Sequence, residues 1–409
     1  MAETGNLFKE SWKVLDSHEL RLLLNHRIGG TGQVDGDIAD GVPFYLPIAG
    51  DTCQIVLKFK NKKVNRIELG EAHDLEKWKE TSALIDSMVN GGQKKIGRRL
   101  SFSSSPVRGN WRGSRSSVQI CTPPQSAPQT NMHDAENPFV LEFPFVQCGI
   151  DSVDNYRLVR EHRRYSRVLN VILRSRILFH ATRQPSFWAQ LREKIGTTES
   201  VEYKWISNAY DADIGAIVAD AHTQDFGPQA QVFSASTYYS PQTYHGNELT
   251  VPDDLDELIC LYQNLLPENR EKFDRAAYWF DMAYRQWIIS ASASFVSLVS
   301  SIEAFIEKDA GEILKCGQCG LDLKPAEPGA LRKFKDFLEK YAQGSGLNNQ
   351  RNKMYDLRSV IAHGSGLLAL DSEYYSGWNP VSLSEDELRW ELWSVTKMAM
   401  LNWLKHSGK

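Results

Sequence analysis

Cysteine is scarce in this chain. Six occur in 409 residues, Cys53, Cys121, Cys148, Cys260, Cys316 and Cys319. They are too few and too scattered for a disulfide framework. The opening Met-Ala-Glu-Thr-Gly lacks the basic and apolar regions of a signal peptide. Long apolar runs are also missing. The longest charge-free one, 286–302, is rich in serine and falls short of the about 20 apolar residues that a membrane span needs. It reads as a buried bundle helix. A soluble, cytoplasmic protein with no membrane partner is therefore expected. Charge of one sign is not in excess: the formal net charge is −4. Nothing attracts the whole chain to nucleic acid, and any RNA site must be a local basic patch. No internal repeat is found. The glycines of segment 29–36 fit neither a dinucleotide fingerprint nor a P-loop, and read as a turn before the first strand.

Apolar residues are plentiful. They make up 42% of the chain, with 11 tryptophans, which suffices for more than one core at a length that predicts two or three domains. Residues 1–90 read as an α+β region. Segments 42–48, 53–60 and 66–69 are rich in β-branched and aromatic residues, and 74–89 has helical spacing. From 91 to 136 acidic residues all but vanish while Lys94, Lys95, Arg98, Arg99, Arg108, Arg112 and Arg115 sit among serines. This predicts a flexible basic insertion, either a solvated loop or a contact for RNA phosphates. Residues 137–250 continue the α+β region, with strands at 139–146 and 201–206 and a basic helix at 156–179. From 251 to 409 the pattern is helical. It predicts helices at 253–266, 268–287 after a first-turn Pro267, 290–308, 329–341 and 348–363, and a last one opening at the capping box Ser384–Glu387. The predicted fold is thus multidomain, an α+β N-terminal region followed by an all-α bundle.

The densest chemistry lies in Tyr355-Asp-Leu-Arg-Ser-Val-Ile-Ala-His-Gly364. Arg358 carries a permanent charge on a fork that fits a phosphate. His363 exchanges a proton near neutral pH. Together they suffice in principle for metal-free RNA cleavage. Residues five apart on an ideal helix point about 140° apart, so a straight helix would separate the pair. Gly364 predicts that the helix ends there, where the last turn loosens.

This stretch resembles the R-x(4–6)-H motif of the HEPN superfamily, with the polar Ser359 directly after the arginine. It is most similar to the Apea-like HEPN subgroup. Upstream, Ser301-Ile-Glu-Ala-Phe-Ile306 resembles the family's second long helix, which often presents an acidic residue, here Glu303. The resemblance covers about 251–405. It implies a helical bundle that forms a homodimer, with the two Arg–His motifs facing one another across a groove. Catalytic members are metal-independent endoribonucleases, many in phage defence or toxin systems; others only bind nucleotides, RNA or proteins. By that resemblance His363 would act as general base or acid, Arg358 would hold the scissile phosphate, Ser359 would donate a hydrogen bond and Glu303 would orient either partner. No cofactor is required. The N-terminal region would sense a trigger or a regulator.

Two weaker signals remain. Cys316-Gly-Gln-Cys319 is half of a zinc ribbon, so either a structural zinc site or an ordinary cysteine-containing loop is open. Asp211, Asp213, Asp220, His222 and Asp225 form an acid-rich stretch, compatible with metal binding but equally with a loop. The tryptophans Trp279, Trp287, Trp390, Trp393 and Trp403 are expected in core or dimer packing.

Overall fold

The structure is a computed structural model. It describes residues 6–28, 33–34, 42–48, 51–60, 63–69, 75–122, 137–179, 186–195, 198–207, 228–240, 246–306, 314–315, 322–323, 329–343, 348–372 and 380–408. Cys316, Cys319, the acid-rich stretch and most of the glycine-rich segment lie outside them. The chain forms two compact units, one of Met1–Gly97 with Phe143–His162, the other of Arg98–Glu142 with Arg163–Lys409. The architecture is mixed α+β, with a helical C-terminal part.

The first unit holds an antiparallel sheet of β1 (Gln33–Val34), β2 (Val42–Ile48), β3 (Asp51–Lys60) and β4 (Lys63–Leu69), in that order. Helices α1 (Ser17–Ile28) and α2 (Leu75–Asn90) accompany it. Trp12, Leu20, Leu23 and Leu24 pack with Ile55, Leu57 and Ile67 of the strands and with Trp78 and Ile85 of α2. A 3-10 turn carries Trp12, whose indole donates to Asp86 at 2.7 Å. Helix α3 (Asp151–Ile172) brings Arg157 and Arg160 to Glu19. Glu19 and Arg157 are almost completely buried. Asp16 joins the cluster through Arg160 and the Tyr156 hydroxyl, both on its Oδ2. The Glu19–Arg157 pair is thus closed off from water, while Arg160, which also reaches Glu161, extends the cluster to the partly exposed Asp16.

A five-stranded sheet, most of it in the second unit, has the order β6 (Trp111–Arg112), β7 (Gln119–Cys121), β8 (Asn137–Gln147), β5 (Gln93–Ser103), β9 (Ile177–Leu178). The expected flexible basic insertion is therefore corrected over 93–122, where the chain builds three of these strands. Two of its cations pair with acids distant in sequence, and its backbone with a third, which a local reading misses. Arg98 pairs with Glu142 at 2.6 Å and Arg108 with Glu248 at 2.9 Å. The Arg115 and Ser116 backbone N–H groups both donate to Asp256.

The predicted helix 156–179 also differs. It starts at Asp151 and stops at Ile172, because the Asn170 side chain bonds both the N–H and the C=O of Ile177, acting as a strand partner that turns the chain into β9. Strands β10 (Ser186–Ile195) and β11 (Thr198–Ser207) pair antiparallel, with Trp188 opposite Trp205. Short strands β12 (Val232–Phe233) and β13 (Val251–Pro252) pair in parallel, with α4 (Ala235–Tyr238) between them.

The bundle follows: α5 (Leu255–Gln263), α6 (Pro267–Arg285), α7 (Ala291–Glu303), α8 (Ala330–Tyr341), α9 (Asn348–Ala362), α10 (Ala369–Ser372) and α11 (Pro380–Ser407). Pro267 stands in the first turn of α6, as expected. The Ser384 capping box does not start α11: the helix begins one turn earlier, and Ser384 accepts from Lys353 inside it. Helix α7 packs against α6, α9 and α11. Phe295, Leu298, Val299 and Ile302 are fully buried, each contributing about 1.5–3 kcal/mol on burial. Its serines are tolerated because they bond backbone: Ser301 donates to Ala276 and Ser297 to Ala293. Among the described residues no helix is long and apolar enough to cross a membrane.

The ion cluster of the first unit is open to test. Glu19→Ala strands Arg157 without its carboxylate, so stability should fall by about 3–5 kcal/mol in denaturant unfolding.

Candidate functional site around helices α7 and α9

Helix α9 presents Arg351, Met354, Tyr355 and Arg358 at the i, i+3, i+4, i+7 spacing of one face. Arg351 and Met354 are buried and Tyr355 and Arg358 half-buried. This face meets the C-terminal end of α7, where Glu303 is waiting. Arg358 Nη2 donates to Glu303 Oε2 at 2.7 Å. The Tyr355 hydroxyl donates to Glu303 Oε1 at 3.2 Å. The Arg358 guanidinium also lies 5.7 Å from the Tyr355 ring, and that ring packs 5.3 Å from Phe334 of α8. One carboxylate therefore grips both side chains. Arg358 Nε is buried and has no hydrogen-bond partner. Burial, then the Glu303 charge and hydrogen bond, pushes the Tyr355 hydroxyl above its ordinary pKa.

His363 is elsewhere on the helix. It follows the last helical residue, Ala362, and is exposed, as the 140° offset requires. Gly364 takes φ +70°. Its N–H reaches the Ile361 carbonyl, and the Ser365 N–H reaches Val360 at 2.9 Å. This pair of bonds is a Schellman closure around a left-handed glycine. Ser359 is half-buried, and its carbonyl accepts from the His363 N–H. The structure thus brings Arg358 to Glu303, and leaves His363 on the outer side of the same helix end.

The turn after His363 is anchored. Leu368 N–H donates to Ser292 Oγ at 2.8 Å. Asp371 accepts from the Ser290 hydroxyl and from the backbone N–H groups of Ala291 and Ser292. It thereby caps α7 from a distant part of the chain. Ala369 N–H donates to Glu385 of α11 at 2.7 Å. Burial alone would raise the Asp371 pKa, yet the hydrogen bonds at the α7 N-terminus hold it below the usual aspartate value.

Tyr355 and Asp371 had no assigned role in the sequence. Tyr355 carried a usable signal, since it lies one turn before Arg358 on the same face. Asp371 carried none, because its partners are about 80 positions away. Of the tryptophans, Trp403 is buried and lies against Phe305 and Phe273. Trp393 stacks on Phe280, while Trp279 and Trp390 are largely exposed. Comparison with protein families, with curated proteins and with solved structures finds no match for this chain.

Two substitutions test this geometry. Gly364→Ala meets no atom that would clash, so its cost should be the left-handed backbone alone, about 1–2 kcal/mol in thermal or denaturant unfolding. Asp371→Ala should lose about 1–2 kcal/mol at neutral pH. A lowered folded pKa means that the Asp371 contribution is complete above pH about 4 and is lost as pH falls through the folded value. The gap between variant and wild type should therefore close in acid.

Proposed function

We propose that the chain is a metal-independent endoribonuclease of the HEPN type. The observation that carries this reading is the Glu303–Arg358–Tyr355 cluster beside an exposed His363 on one helix end. In the proposed reaction His363 takes the proton of an RNA 2′-hydroxyl or gives one to the leaving 5′-oxygen, worth about 100- to 10,000-fold. Arg358 carries the scissile phosphate and the charge that develops in the transition state. It presents its unpartnered Nε or exchanges Glu303 for the phosphate. Ser359 donates to a phosphate oxygen. Glu303, steadied by Tyr355, orients the arginine.

The partner side of the proposal is a homodimer. Val360, Leu367, Ile288, Ile289, Val381, Leu383 and Trp390 are all exposed apolar side chains. Their segments are held together by the Asp371, Ser292 and Glu385 hydrogen bonds. A second copy seated there would set two His363 side chains close together, one as base and one as acid. The N-terminal region would then bind the trigger of a defence or toxin system acting on cytoplasmic RNA.

A second reading has its own support. Arg358 is already neutralised by Glu303 at 2.7 Å, as suits a non-catalytic HEPN dimer that binds nucleotides, RNA or protein. Incubation with a defined RNA pool in EDTA separates the two. Wild type should cut, leaving 2′,3′-cyclic phosphate and 5′-hydroxyl ends, and His363→Ala and Arg358→Ala should each lose about 100-fold or more. Cleavage that survives in both variants would refute the mechanism. A folded wild type that binds RNA without cutting would select the second reading.

A further inference from the structure

Two arginines of α3 make no ion pair among the described residues. Arg163 and Arg167 stand one turn apart, on the part of α3 that belongs to the second unit. Arg163 is exposed and Arg167 half-buried. Each lies against an aromatic ring instead of a carboxylate. The Arg163 guanidinium is 6.0 Å from the Phe179 ring, and Arg285 of α6 lies 5.8 Å from the same ring. The Arg167 guanidinium is 5.0 Å from the Tyr278 ring. Tyr278 in turn meets Trp279 edge-on at 5.4 Å. Tyr278 and Trp279 are each 39% exposed.

The acids nearby are already engaged. Asp281 pairs with Arg285 at 2.9 Å and with Arg176 at 3.4 Å, and Asp274 pairs with Arg164 at 3.2 Å. Burial holds the Arg167 pKa below the ordinary arginine value; Asp281 and Asp274 oppose that, while Arg163 and Arg285 add to it. The guanidinium stays charged all the same. Its Nε is buried and has no hydrogen-bond partner. Tyr278 and Arg285 lie two turns apart on one face of α6, about 10 Å along the axis. Arginines and rings therefore alternate over the length of about two or three nucleotides.

We propose that this face of α3 and α6 binds single-stranded nucleic acid, with Arg163 and Arg167 on phosphates and Tyr278 and Trp279 against bases. The chemistry of the face selects the partner. A guanidinium fork contacts phosphate oxygens in pairs. An acidic peptide would use the charges and leave the exposed rings idle. A duplex keeps its bases stacked inside, out of reach of those rings. A single strand uses both, because every base has a face to stack. Phosphate contacts and stacking do not read the 2′-hydroxyl, so RNA and DNA strands bind alike. The face includes none of Glu303, Arg358 and His363, and the proposal stands whether or not the chain cuts RNA.

The test is fluorescence anisotropy of labelled oligodeoxythymidine and oligouridine, each of about 12 nucleotides, with the full chain in EDTA. The DNA strand has no 2′-hydroxyl to attack, so its binding is read apart from any cleavage. Both strands should bind saturably and lose affinity as salt rises. Arg163→Gln should weaken binding about threefold or more and lower the log–log salt slope by about 0.7. Trp279→Ala should weaken it about fivefold or more and leave the slope unchanged. Arg163 makes no hydrogen bond among the described residues, so its substitution leaves the fold intact, which circular dichroism checks. Wild-type affinity in both variants would overturn the proposal, as would a wild type that binds neither strand. Displacement of the strand by polyglutamate, together with an unaffected Trp279→Ala, would assign the face to an acidic protein segment instead.

Discussion

Helix α7 is the constraint on which the candidate site depends. It is buried along most of its length, so it cannot shift without exposing Phe295, Leu298 and Ile302. Both of its ends are used. Asp371 closes the N-terminal end and Glu303 projects from the C-terminal end. Helix α9 and its following turn are therefore fastened twice to the same rigid rod, once through Arg358 and Tyr355 and once through Leu368 and Asp371. The orientation of His363 follows from those two attachments and from the glycine closure between them.

Much of this was legible in the residues. Strand β2 occupies 42–48 as its β-branched and aromatic residues predict, and α9 ends within one residue of the position that Gly364 announces. The pairing of Glu303 with Arg358 was legible only through the family resemblance. The misread parts share a physical cause, namely partners that lie far away in sequence. The serine- and arginine-rich segment looked unstructured because its acidic partners, Glu142 and Glu248 for two arginines and Asp256 for backbone N–H groups, lie far away in sequence. Ser384 and Glu387 carry the spacing of a capping box, but α11 begins one turn earlier, at Pro380. Local propensity is a weak guide where packing decides. The side chains of Asn170 and Asp371 replace backbone partners, and no periodicity records that.

Both units contain buried charge, organised differently. Around Glu19, three carboxylates meet two arginines, and each arginine has a carboxylate partner. A buried ion pair of this kind adds little net stability over a well-packed apolar pair, and its cost appears when one partner is removed. Around Asp281, a single carboxylate serves Arg176, Arg285 and Asn170, and the buried Lys397 donates to the Leu173 carbonyl. The first arrangement is self-sufficient. The second has donors left over.

The Glu303 grip on Arg358 also sets the terms of any anion that arrives there. Capture becomes an exchange rather than an addition, since the incoming group must match the contact that it displaces. A spherical or weakly accepting ion offers one contact and loses to a carboxylate already in place. A planar or tetrahedral oxyanion can use Nε and Nη2 together, the two-point contact that an arginine fork favours. For an anion proposed to bind there, the resident carboxylate at 2.7 Å would set a requirement of shape as well as of charge.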